Sequence, residues 1–230
     1  MHKHDRFWCP LVLGIATLGF WGCSHTPPPR PFYQDRVTSI RLQQDDHARS
    51  PHAHPANVTP EMMSQILSGV RIVWRQGGVF RSVVPGGSDQ VPAFSGVEIR
   101  ALGPKLSAAL RDAKPDELVT FYRRVSDENV GLGITSGGLF VEDQQLYFVL
   151  ANNRTLPTRG MNENMVYALD PVDTPLLPIA RSDFKAAFTP GTALVREEDR
   201  ISWPYIDEGR ILAIDLTQLA RDTRSQTQQK

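Results

Sequence analysis

From Leu118 to Ala151 the hydrophobic pattern of this chain has a period of two, and that alternation limits its fold more than any other feature. Successive side chains of a strand point to opposite faces, so an alternating run can bury one face of a sheet. Residues 118–125 read as a strand, 131–135 as a second and 139–141, after Gly137 and Gly138, as a third. Glu142, Asp143, Gln144 and Gln145 make a hairpin turn, and residues 146–151 return. This is an antiparallel meander. Upstream, the period is helical. Thr59 is a good N-cap with Pro60 at the first helical position, where the missing N–H does no harm. Met62, Met63, Ile66 and Leu67 form an apolar face, and Gly69 is a stop signal. A second helix over 103–113 carries Pro104 at its start and Leu106, Ala109, Leu110 and Ala113 on one face. The expected fold class is α+β, a mainly antiparallel sheet with two or three packed helices.

The rest of the chain divides by composition. Further strands are expected at 70–75 and 79–84, then a turn at Pro85, Gly86 and Gly87. Residues 155–178 are proline-rich and irregular, with a short helix near 163–169. Residues 184–188, 193–195 and 210–215 read as strands, and 216–222 as a last helix with Asp215 at its cap. The polar residues 223–230 read as a disordered tail. Residues 23–57 are rich in proline, histidine and charge and read as a flexible tether. Its one ordered feature is a weak helical stripe of Val37, Ile40 and Leu42 within 32–44. The globular domain is then 58–222.

Cysteine and histidine usage narrows the chemistry. The only cysteines are Cys9 and Cys23, so the body has no thiol and no disulfide and depends on its core. That excludes cysteine nucleophiles and thiolate zinc sites there. The six histidines are His2, His4, His25, His47, His52 and His54. A domain opening at residue 58 therefore contains no imidazole. Ser-His-Asp catalysis and histidine metal sites need one. The formal charge is zero and no stretch is strongly basic, so a nucleic-acid partner is not expected.

The chain opens with Lys3 and Arg6 as firm positive charges, then an uncharged, mostly apolar run over 7–22. These are the n-region and h-region of a secretory signal. The run is too short to cross a bilayer as a helix, which takes about 20 residues. It ends in Phe20, Trp21, Gly22 and Cys23, followed by Ser24 and the prolines 27–29. Gly22 and Cys23 resemble the end of a bacterial lipoprotein lipobox, and Phe20 stands in for the usual leucine. Trp21 departs from the small residue normal there. The resemblance covers about the first tenth of the chain and names a processing class, not an activity. It implies a signal peptide at 1–22, cleavage before Cys23 and acyl chains (palmitate among them) on Cys23. It implies a cell-envelope location, and Ser24 favours the outer membrane, facing the periplasm. Without Lys3, Asp5 and Arg6 the remaining chain carries a charge near −1.

Within the body the candidate sites are few. Adjacent carboxylates occur at Asp116 and Glu117, Asp127 and Glu128, Glu142 and Asp143, Glu197 to Asp199, and Asp207 and Glu208. All fall where turns are expected, whereas an acid/base pair faces its partner across a cleft. Lys105 and Ser107 are two apart on a helix and point to different faces. The glycines of 131–138 lead into a strand, not the helix a phosphate loop needs. His47, His52 and His54 read as solvated tether, with weak metal pick-up as the alternative. Trp203 and Tyr205, beside Pro204, lie in a loop or edge, where exposed aromatics suit a partner surface. The alternative is that this loop caps the core. No catalytic, cofactor-binding or metal residue is assigned.

The absences favour a lipid-anchored, non-catalytic binding or assembly module with an envelope protein as partner. The alternative is a histidine-independent, carboxylate-based hydrolase or carbohydrate-active enzyme. A third reading is a carrier of an apolar ligand.

Overall fold

The computed structural model describes residues 27–76, 79–80, 90–127, 131–156, 172–179, 184–200 and 206–228. In chain order its elements are β1 (Arg30–Gln34), β2 (Thr38–Gln44), α1 (Pro60–Gly69), β3 (Val70–Gln76), β4 (Val79–Phe80) and β5 (Gln90–Pro92). There follow α2 (Gly96–Asp112), β6 (Glu117–Asp127), β7 (Gly131–Glu142), β8 (Gln145–Thr155), β9 (Phe184–Phe188), β10 (Ile211–Asp215) and α3 (Leu216–Gln228). The fold is α+β. Six strands form one sheet in the order β1-β2-β6-β7-β8-β10, every pair antiparallel. β3 is the centre of a second, four-stranded antiparallel sheet with β4, β5 and β9.

The alternation read in the sequence decides which face each residue takes. Ile40 and Leu42 of β2, Val119 and Phe121 of β6, and Phe148 and Leu150 of β8 share one core with α1, α2 and the smaller sheet. Leu118, Phe140, Tyr147, Val149, Ile206, Ile211 and Ala213 form a second cluster with Leu176 and Val195 against it. Residues 172–179 thus lie over that second face. Asn152 ties them down, donating to the Leu177 carbonyl and accepting the Ile179 N–H, each at 2.9 Å. Arg41 of β2 pairs with Asp173.

Both helix starts follow from capping. Thr59 accepts the Met62 N–H, with Pro60 next. α2 begins eight residues before Pro104, because Ser95 and Glu98 form a reciprocal capping box. Pro104 is therefore inside the helix. It has no N–H for the Arg100 carbonyl four residues back; the next carbonyl, that of Ala101, accepts from Lys105 Nζ at 2.8 Å. At Gly103 a Cβ would lie 2.6 Å from Ser64 Oγ, so the glycine lets α1 and α2 approach.

Several expectations are corrected. Residues 30–57 are not a flexible tether. The stretch 32–44 is no helix but most of the β1–β2 hairpin, and β2 pairs with β6 along its length. After it, His52, His54, Ala56 and Val58 are buried while Pro51, Ala53, Pro55 and Asn57 are exposed. An extended strap with a period of two packs across the end of the sheet. It is held by His52 N–H to the Pro115 carbonyl, Ala53 N–H to that of Val141 and Ala56 N–H to that of Leu110. The two strands expected at 131–135 and 139–141 are one continuous β7. A Cβ at Gly137 would stand 2.0 Å from the Val149 carbonyl oxygen and one at Gly138 2.8 Å from Leu176, so Gly137 admits β8 and Gly138 admits Leu176, and neither ends the strand. Residues 191–193 form a 3₁₀ turn, and Leu194 makes only an isolated bridge to Ile214. Residues 223–228 are not a disordered tail but the end of α3. Thr223 accepts from Gln65 Nε2 at 2.6 Å, joining that end to α1. The turn expected at 85–87 and the helix near 163–169 lie outside the described residues.

Candidate functional site

The strap brings two histidines to the end of the large sheet. Asp45 follows β2, Glu142 ends β7, and both carboxylates converge on His52. Its Nε2 is 3.0 Å from Asp45 Oδ2, while Nδ1 lies 3.7 Å from Glu142 Oε1, too far for a hydrogen bond. The His52 ring is 1 % exposed and sits 4.5 Å from the Phe140 ring. Its Nδ1 has no hydrogen-bond partner among the described residues. Burial raises the Glu142 carboxyl above its usual range. The facing His52 opposes that shift, and Asp143 and Asp45 add to it.

His54, with its ring 5.5 Å from that of His52, is used differently. Nδ1 donates to the Glu117 carbonyl at 2.8 Å, and Nε2 accepts the Val141 N–H at 3.1 Å. Burial, then His52, lowers its basicity. Glu117 itself is 8 % exposed. Burial pushes its carboxyl up, but Arg30 at 3.0 Å and the Lys114 N–H outweigh that, and it stays below the usual range. The same contacts, Glu117 first and then Asp112, raise Arg30.

Beside this cluster is a trough of about 250 Å³ between residues 43–47 and 173–177, floored by Leu118 and Ile206. Asp45 forms part of its wall. A second trough, about 260 Å³, lies between the β1–β2 turn and Val172 and Asp173.

Among the side chains the structure describes, the other carboxylates singled out from sequence are engaged or exposed; Glu128 lies outside the described residues. Glu198 and Asp199 pair with Arg196 on the surface, and Asp207 caps a 3₁₀ turn through the Gly209 N–H. Ser107 donates to the Val58 carbonyl and Lys105 stands 4.6 Å over the Tyr33 ring, so the two serve separate contacts. The facing pair, Asp45 and Glu142, was missed in the sequence because Asp45 stood in the supposed tether. The alternation His52, His54, Ala56, Val58 was the available signal. Among the described residues no group of three or more His, Cys, Asp or Glu side chains could hold a metal ion. Cys23, Trp203 and Tyr205 lie outside the described residues. No known protein family, curated protein or solved structure matches this chain. The geometry therefore stands alone. It is a histidine held between two carboxylates, beside a second histidine whose ring nitrogens are both committed to backbone.

Proposed function

We propose that this chain is a lipid-anchored envelope protein, held by acylated Cys23, that acts as a non-catalytic binding or assembly module close to the membrane. The observation that carries this reading is where the fold begins. Arg30 is already in β1 and is clamped to Asp112 and Glu117, only seven residues after Cys23. Seven residues span no more than about 25 Å even fully stretched. A lipid on Cys23 would keep this domain within roughly its own diameter of the bilayer. A module held so close suits a partner in or on the same membrane. The binding reading over catalysis is supported by how the titrating groups are used. His54 spends both nitrogens on backbone, and Glu117 serves Arg30 and the Lys114 N–H.

The anchor is tested by Cys23→Ser followed by membrane fractionation and acyl labelling. The expected result is a wild-type chain that is labelled and membrane-bound, and a variant that is unlabelled and either uncleaved or released. A wild-type chain that is soluble and unlabelled defeats the reading.

A further inference from the structure

The trough beside the β1–β2 turn points to a ligand of definite charge. Three guanidinium groups line it, from Arg36, Arg41 and Arg124, together with Thr38, Ser39 and Tyr122. Two carboxylates share the lining, and both are engaged. Asp35 accepts the Val37 and Thr38 N–H groups and the Tyr33 hydroxyl, and so serves as the cap of the turn. Asp173 pairs with Arg41. Arg36 is exposed at the tip of the turn, with no hydrogen bond or ion pair among the described residues. Arg124 is steadied by its Nε bond to the Tyr122 hydroxyl at 3.2 Å. Ser39 is 5 % exposed, and its hydroxyl is buried beneath the trough with no hydrogen-bond partner among the described residues.

We propose that this trough is a phosphate site, taking a small molecule or headgroup that carries a phosphate oxyanion. Separate guanidinium donors on three segments suit a tetrahedral anion with several acceptor oxygens. A planar carboxylate is satisfied by one bidentate arginine. At about 260 Å³ the trough has room for a phosphate and a small attached group. This deepens the binding reading but does not depend on the acylation of Cys23, so the two can fail separately.

The test is calorimetric titration of the full-length chain in detergent with two probes. One is inorganic phosphate, and the other is glycerophosphoglycerol, the soluble headgroup of an anionic phospholipid. Saturable binding of either is expected. Tighter binding of inorganic phosphate assigns the site to a free phosphate or phosphomonoester, and tighter binding of the diester assigns it to a headgroup. Arg36→Ala and Arg124→Ala should each weaken binding roughly tenfold or more, the scale of one lost charge-assisted bond. Arg196→Ala, which removes a surface charge elsewhere, should leave binding unchanged. No saturable binding of either probe overturns the proposal. So does binding that survives Arg36→Ala and Arg124→Ala, or that Arg196→Ala weakens equally.

Discussion

His54 accepts the backbone N–H of Val141 at 3.1 Å, and this one bond fixes the ring as neutral. A nitrogen that accepts carries no proton, so the hydrogen sits on Nδ1, where it is donated to the Glu117 carbonyl. The strap is thereby stitched to β6 and β7 at once.

The pH dependence of stability follows from that bond. Burial holds the basicity of His54 below its usual value, so the unfolded chain binds a proton more readily than the folded one. Stability is then greatest above the unfolded histidine value of about 6.5 and falls as pH drops from there through the folded value. Glu117 acts in a lower window. Its carboxyl is held below the usual 4.5, so its contribution is present above that value and is lost as pH falls through the folded one. Urea unfolding between pH 8 and 5 should show a decline in the wild type that is shallower in His54→Asn. An equally steep decline in the variant would place the proton uptake elsewhere. At pH 8, His54→Ala should cost about 2–4 kcal/mol by leaving two buried backbone groups unpaired.

Gly137 should be the least replaceable glycine of the large sheet. An added Cβ would lie 2.0 Å from the Val149 carbonyl and 3.1 Å from the Phe121 ring, so β8 must move. Gly137→Ala is expected to lower stability by about 3 kcal/mol, near the upper end for overpacking. Gly191→Ala is the control, since a Cβ there meets nothing within 4 Å, and its effect should stay within about 0.5 kcal/mol. Chemical unfolding of the two side by side checks both. Equal effects would show that β7 and β8 are not so closely apposed.

The start of the fold can be located by truncation. A chain that begins at Pro27 keeps the β1–β2 hairpin and the strap and should give a cooperative unfolding transition. A chain that begins at Val58 loses the strands on one side of β6, along with His52 and His54. It also exposes Ile40's and Leu42's partners in the core. It should fail to fold, with far-ultraviolet dichroism and the sharpness of melting as the measurements. Cooperative folding of the shorter chain would restore the view of residues 30–57 as a tether.

Much of the architecture was legible because periodicity reports directly on burial. The meander from 118 to 151, the helix opening at Thr59, the strand β3 and the Asp215 cap all follow from patterns within one element. The candidate site was not legible, because its members come from three separate places. Asp45 and His52 stand in a stretch whose proline and charge content suggests solvation, and Glu142 stands in a hairpin turn. Composition averaged over 23–57 hid two separate alternations, Thr38-Ile40-Leu42 and His52-His54-Ala56-Val58, each of which is buried.

By itself the sequence determined the local choices: which stretches alternate, where a cap or a proline begins a helix, and that the body has no cysteine. These depend on residues within a turn or two of each other, and propensity and periodicity act at that range. Only the tertiary structure decided that the strap belongs to the domain and that Asp45 and Glu142 face one histidine. Each of those outcomes turns on contacts between distant parts of the chain. Burial against the sheet and backbone partners supplied by Pro115 and Val141 outweigh what the local composition favours.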